Sequence, residues 1–402
     1  MANPPTSRSM LALDGLNFFL ADVRDGLGPY LAIYLLAVHH WDPASIGLVM
    51  TLAGLAALVT QTPAGALIDR IKHKRAAVAA GALLVTGSCV IVPFVSGFTV
   101  VALTQAASAA AASVFAPAIA AISLGMTGRK AFTRRTGRNE TFNHAGNAFA
   151  ALLAGGFSYL FGPVAVFYLM AAMAVCSVVA VAGISPGSID HEVARGFEAG
   201  QAEQGVSGWR ALVSNRSLLL FALCCALFHL ANAAMLPLVS QKLSQTDMSM
   251  ATPLTSACII AAQLVMVPAA MLVGARADLW GRKPLLLAGF AILPVRGVLY
   301  TLSDDPYWLV AIQMLDGVGA GLFGALFPLV VKDLTQGTGR FNVSLGALTT
   351  VFGLGAALSN GLAGWVVHSA GFSTAFLTLA GIAAVALMLL LLLPETHQSP
   401  QG

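Results

Sequence analysis

Twelve apolar runs, each long enough to cross a bilayer as a helix, leave this chain few ways to fold. Six lie near 11–37, 45–68, 76–95, 99–125, 141–161 and 163–184. Six more lie near 217–241, 253–275, 284–302, 306–331, 341–367 and 372–393. About 20 apolar residues in a helix match a hydrocarbon core of about 30 Å. Within that core the backbone has no water to bond to, so each run must satisfy its own N–H and C=O groups as a helix. Of 402 residues 57% are hydrophobic and only 9% are charged, whereas soluble domains carry about 25% charged residues. The expected fold class is therefore all-α integral membrane, with twelve transmembrane helices in two pseudo-symmetric six-helix bundles. Only the stretch 185–215, with Pro186, Asp190, Glu192, Arg195, Glu198 and Glu203, forms a long hydrophilic connection. It divides the chain into an N-terminal bundle (1–184), a cytoplasmic linker (185–215) and a C-terminal bundle (216–402).

The basic residues set the orientation. Of 21 Lys and Arg, Arg24 and Arg296 fall inside spans and Lys242 falls on one side. The remaining 18 occupy the N-terminal tail or connections that follow even-numbered spans. The positive-inside rule then places both termini in the cytoplasm of a multi-pass cell-membrane protein, as in a bacterial inner membrane. A net charge of +4 distributed in this way reflects topology and predicts no nucleic-acid partner. The polar first ten residues lack the layout of a cleaved signal. Cys89, Cys176, Cys224, Cys225 and Cys258 all lie in apolar runs without metal-type spacing, which predicts small buried residues rather than ligands.

The two halves repeat. Gly65-Ala66-Leu67-Ile68-Asp69-Arg70 and Gly274-Ala275-Arg276-Ala277-Asp278 each end an apolar run, and each is followed by a basic cluster that includes Lys74-Arg75 or Arg282-Lys283. A shift of 209 superposes Gly65 on Gly274 and Asp69 on Asp278, and a shift of 208 superposes Gln105 on Gln313 and Phe115 on Phe323. A shift of 202 superposes Gly137-Arg138 on Gly339-Arg340. This duplicated signature resembles the loop between helices 2 and 3, and its repeat between helices 8 and 9, in the major facilitator superfamily of transporters. Pro394-Glu395-Thr396 is also similar to the tail of that family. The resemblance covers spans 1 to 12 and implies alternating access by rocking of two bundles around a midplane site. It further implies that Gly65, Asp69 and Arg70, with Gly274, Asp278 and Arg282, form a conformational latch for the outward-facing state. Each copy departs from the family pattern, with Lys72-His73 in the first loop and Leu279 in the second.

Span 1 carries Asp14, Asp22, Arg24 and Asp25. A charge at mid-bilayer costs at least about 2.5–3.5 kcal/mol, so charges retained there need a purpose. At about 100° per residue the four fit an arc of roughly 160°, suited to a cavity, and Gly26, Gly28 and Pro29 weaken the helix just beyond. Two readings stand: a proton or substrate site using Asp22 and Asp25 with Arg24 as the tuning charge, or an internally neutralised structural pair. Asp316 in span 10 is the proton candidate from the other half. It has no basic residue beside it in the sequence, and span 4 lacks the arginine that the family often uses in proton coupling. Candidate substrate contacts are Asn17, Phe18, Phe19, Tyr30, Asn143, Asn147, His229, Asn232 and Gln313. For each of these, packing or hydrogen bonding between helices is the competing reading.

The sequence has no Gly-x-x-x-x-Gly-Lys-Ser/Thr run, His-Glu-x-x-His or Gly-x-Ser-x-Gly, so neither ATP drive nor enzymatic chemistry is expected. The expected partners are a small-molecule substrate, protons and the lipid bilayer, with no cofactor or metal, and the expected functional unit is a monomer. The leading expectation is proton-coupled export of a small organic molecule, such as a drug-like compound or a siderophore. One alternative is a proton symporter importing a sugar or organic anion, for which Arg24 would suit a negative charge. Another is a non-transporting receptor or assembly protein, which would gain nothing from charges inside the membrane.

Overall fold

The computed structural model describes residues 6–25, 27–95, 97–194, 215–335 and 341–396. Gly26, Gly339, Arg340 and the linker positions 195–214 lie outside the described residues, as do the side chains of Asp25 and Asp69. Among the described residues all regular structure is helical: α1 (Ser7–Asp25), α2 (Gly28–Ala37), α3 (Pro43–Arg70), α4 (Lys74–Val90), α5 (Phe98–Ala112), α6 (Phe115–Phe161), α7 (Ala165–Ala182) and α8 (His191–Ala194). The second half supplies α9 (Arg216–Asn232), α10 (Met235–Thr246), α11 (Met248–Trp280), α12 (Arg282–Leu299), α13 (Pro306–Leu334) and α14 (Phe341–Leu391).

Glycines in left-handed geometry punctuate these helices, because a side chain there would clash with its own backbone. Gly128 (φ 67°) breaks α6 into the end of span 4 and all of span 5, and Gly371 (φ 84°) divides α14 into spans 11 and 12. Gly28 (φ 44°) begins α2 after the break in span 1, where Gly26, Gly28 and Pro29 predict one. With α1–α2, α5–α6 and α9–α10 each read as one crossing, the elements make twelve spans. Among the described residues, eight helices are long and apolar enough to cross a membrane. The last of them, Ser344–Leu391, holds two spans. Spans 1, 5 and 9 fall outside that group, and these are the spans carrying Asp14, Asn139 and Arg296. Asp14, Asn139 and Arg296 take part in the buried networks described below. Leu264, Met271 and Val59 are more than two-thirds exposed, as expected of side chains that face lipid.

The chain divides into two compact units, Met1–Tyr34 with Leu52–Glu203 and Leu35–Thr51 with Gln204–Gly402. The first packs around Leu13, Leu16, Leu20, Phe115 and Phe167, and the second around Phe221, Phe290, Leu326 and Phe376. The internal repeat reappears as repeated contacts. In the first unit a Cβ on Gly146 would lie 2.0 Å from the Phe18 carbonyl oxygen, and in the second a Cβ on Gly355 would lie 2.2 Å from that of Ala226. Gly81 lies against Phe115 as Gly289 lies against Leu322. Arg75 donates to the Ala182 carbonyl at 3.4 Å, and Lys283 to the Leu391 carbonyl at 2.9 Å. The pairs 146/355, 18/226, 81/289, 75/283 and 182/391 all differ by 208 or 209, the shift that relates the loop signatures. Small residues at such crossings let membrane helices approach backbone to backbone. Within the second unit the start of span 2 lies equally close to span 11. A Cβ on Gly47 would reach within 2.2 Å of Asn360 O, one on Gly364 within 2.3 Å of Pro43 O, and the Gly361 N–H donates to Thr51 Oγ1 at 2.9 Å.

Candidate functional site

Each unit holds a buried charge network. In the second unit, Arg296 of span 9 is paired with Asp316 of span 10. Gln313 Nε2 donates to the other Asp316 oxygen at 3.0 Å, and the Tyr300 hydroxyl donates to Gln313 Oε1. The Arg296 guanidinium also lies 5.8 Å from the Tyr300 ring centroid. Arg296 is 2% exposed, its Nε has no hydrogen-bond partner among the described residues, and Asp316 retains 20% exposure. Toward the span 9–10 turn, Lys242 donates to the Tyr300 carbonyl at 3.1 Å and is paired with the exposed Asp304. Within a low-dielectric bundle such a pair persists only while both charges remain, because removing one leaves the other buried and uncompensated.

The same unit holds an aromatic cluster. His229 stacks on Phe352 at 4.2 Å and meets Phe323 edge-on at 4.9 Å, while Phe228 stacks on Phe323 at 5.1 Å. His229 Nδ1 lies 2.9 Å from the Cys225 carbonyl oxygen. Asn232, three residues further along the same helix, has a buried side-chain oxygen without a partner among the described residues.

In the first unit Asp14 of span 1 binds two arginines from the segment leading into span 5. Arg135 Nη2 approaches Asp14 Oδ1 at 2.7 Å, and Arg138 Nη2 approaches Oδ2 at 2.6 Å. Asn139 completes the network, accepting from Arg135 Nε at 2.7 Å and Asn17 Nδ2 at 3.1 Å, and donating to Ser123 Oγ at 2.8 Å. Asn17 is thus occupied within its own bundle. Phe18 packs against Phe19 and Phe149 with centroids 5.2 and 5.3 Å apart, and Tyr30 is buried. Asn143 and Asn147 are half-buried.

Of the other span-1 charges, Asp22 is half-buried and Arg24 is exposed, while Asp14 is committed to its two arginines. Of the residues expected to form a latch, Gly65 and Gly274 have open space where a Cβ would be, and Arg70 is exposed. Arg282 joins Asp278 at 2.7 Å to Asp333 at 3.2 Å. Glu395 accepts from the backbone N–H groups of Arg282 and Lys283 at 2.9 and 3.0 Å, capping α12. The second loop turns through the single residue Gly281 (φ 86°), whereas the first spends residues 71–73 on its turn without a positive φ. Lys72 and His73 in the first loop account for that difference.

Sequence reading passed over Arg296 and Tyr300 as partners of Asp316 and Gln313. A signal was present. Spans 9 and 10 form an antiparallel hairpin, and Arg296 and Asp316 each lie ten residues from Pro306, so they face each other at one depth. Arg296 and Tyr300 are four apart and Gln313 and Asp316 three apart, spacings that put each pair on one helix face.

Comparison with known proteins agrees with this architecture. The Major Facilitator Superfamily profile matches residues 13–266 and 230–402. A protein of Mycobacterium tuberculosis (strain H37Rv) described as an uncharacterized MFS-type transporter is 56% identical over 402 residues, covering 99% of this chain and 96% of that protein. The multidrug transporter protein MdtP of Bacillus subtilis (strain 168) is 28% identical over 169 residues, 40% of this chain and 30% of MdtP. Among solved structures, a point mutant of the nucleoside transporter NupG aligns with a TM-score of 0.79 at 18% identity, over 96% of this chain and 99% of that one. A bacterial homologue of the human lysosomal transporter Spinster, in an inward-facing and occupied conformation, aligns with a TM-score of 0.71 at 12% identity over 98% and 97%. The chain belongs to the major facilitator superfamily.

Proposed function

We propose that the protein is a proton-coupled exporter of a small organic molecule with a flat apolar portion, and that Asp316 carries the proton. The observation that supports this most strongly is the buried Arg296–Asp316 pair with Gln313 and Tyr300 around it. Protonation of Asp316 removes the attraction and frees the Arg296 guanidinium, giving the bundle two arrangements of different charge that a proton gradient can bias. The aromatic cluster around His229, with the unspent Asn232 oxygen, suits the organic cargo. Export rather than import draws on the partial likeness to a multidrug transporter. The loop residues Gly65, Asp69, Arg70, Gly274, Asp278 and Arg282 serve in this reading as the latch between states. Asp22 and Asp25 act in the opposite half as secondary proton sites. A second reading, symport of an organic anion, draws on the exposed Arg24.

The test is transport in proteoliposomes under an imposed pH gradient, using compounds selected by thermal stabilisation of the purified protein. Expulsion from the compartment that the protons enter supports export. Movement of cargo together with protons favours the symport reading, and no gradient dependence for any stabilising compound contradicts both.

A further inference from the structure

A cavity of about 440 Å³ in the first unit lies outside the transport reading. Its walls include Met10, Leu11, Asp14, Ala131, Arg135 and Arg138. Two guanidinium groups meet one carboxylate here, so the site carries an excess of one positive charge. Arg138 spends Nε and Nη2 on Asp14, and Arg135 spends Nε on Asn139 while its Nη2 stands 2.7 Å from Asp14 as an ion pair without a formed hydrogen bond. Arg135 Nη1 has no hydrogen-bond partner among the described residues, although its side chain is only 2% exposed. Arg138 is 55% exposed at the mouth. The helix restarts after Gly128, and Ala131 in its first turn lines the cavity, so the positive end of a helix dipole adds to the arginine charge.

From this arrangement we infer that the cavity binds a phosphate-bearing anion. Arginine presents its donors in a planar fork matched to phosphate oxygens. Here two forks are already fixed in place by Asp14 and Asn139, so little ordering is needed on binding. The apolar Met10 and Leu11 also line the cavity, and Leu11 is 66% exposed. Such a site accepts the phosphodiester of a lipid headgroup with its glycerol against Leu11, or a soluble phosphate. The shared chemistry is recognition of a phosphate oxyanion by Arg135 and Arg138.

Thermal unfolding and native mass spectrometry of the full-length purified protein distinguish the two sources. One arm adds phosphatidylglycerol with diacylglycerol, which has no phosphate, as control, and the other adds inorganic phosphate with chloride as control. The parent should be stabilised by phosphatidylglycerol or by phosphate but not by the controls. Arg138→Gln should bind the effective anion about tenfold more weakly, the loss of one charge-assisted contact. Ser7→Glu, which adds a negative charge at the exposed start of α1 among the cavity's lining residues, should weaken binding without disturbing Asp14. A response to phosphatidylglycerol alone identifies a lipid site, and a response to phosphate identifies a soluble-anion site. Equal binding by parent and both variants, or no response of the parent to either probe, would overturn the inference.

Discussion

Asp14 and Asp316 both meet arginine in a chain that avoids charge, yet the two networks are built differently. Asp14 is held by two arginines and sits near the start of span 1, with one arginine half-exposed. Asp316 has a single arginine, fully buried in the last turn of α12, and Asp316 itself lies well inside α13 with hydrogen-bonding side chains around it. Protonating Asp14 means displacing two cations, one of which water or headgroups already solvate. Protonating Asp316 breaks a one-to-one pair and leaves a buried guanidinium that must find a new arrangement. On the proposed reading the first network fastens helices together and the second is the one that switches.

The largest expected effect separates the two aspartates. Asp316→Asn should reduce gradient-driven transport to background, while Asp14→Asn should retain most of it with a lowered unfolding midpoint. Transport and thermal unfolding measured side by side decide the matter, and equal loss of transport in both variants would erase the distinction.

Stability sharpens the same contrast. Arg296→Gln alone should cost about 3–5 kcal/mol, because it strands Asp316. Arg296→Gln combined with Asp316→Asn should regain most of that stability while remaining uncoupled. Additive losses in this double-mutant cycle would mean that the two side chains are energetically independent.

The symmetric features of the units should respond symmetrically. Gly146→Ala and Gly355→Ala each push a methyl into a facing carbonyl oxygen, and each should lower stability by about 1–3 kcal/mol through overpacking. A large difference between them would show that the shared crossing does not bear equally on both units. The smallest effect belongs to the second loop. Glu395→Gln removes a negative charge from the start of α12 and should cost about 0.3–1 kcal/mol, detectable as a small shift in the unfolding midpoint.

Much of this fold could be read directly from the sequence. Run length forces helices, and the shift near 208 that relates the loop motifs also relates the glycine crossings and the basic residues that reach back to Ala182 and Leu391. The site was less legible, for a physical reason. Periodicity orders residues around one helix, but pairing depends on depth within the bundle. Thus Asp14 shared an arc with Asp25 on paper and found its partners far along the chain in Arg135 and Arg138. Asp316 had no basic residue beside it in sequence, yet meets Arg296 because a hairpin sets the two at one depth. Glu395 was recognisable as part of a family-like tail, but its capping of α12 requires the end of the chain to return to span 9.

The central claim, that Asp316 is the group that gains and loses the proton, is tested most directly by infrared difference spectroscopy of the purified protein across a pH titration. The account predicts a protonated-carboxyl band that grows as the pH falls, is lost in Asp316→Asn, and survives in Asp14→Asn and Asp22→Asn. A titrating band that persists unchanged in Asp316→Asn would contradict it and return the proton site to span 1.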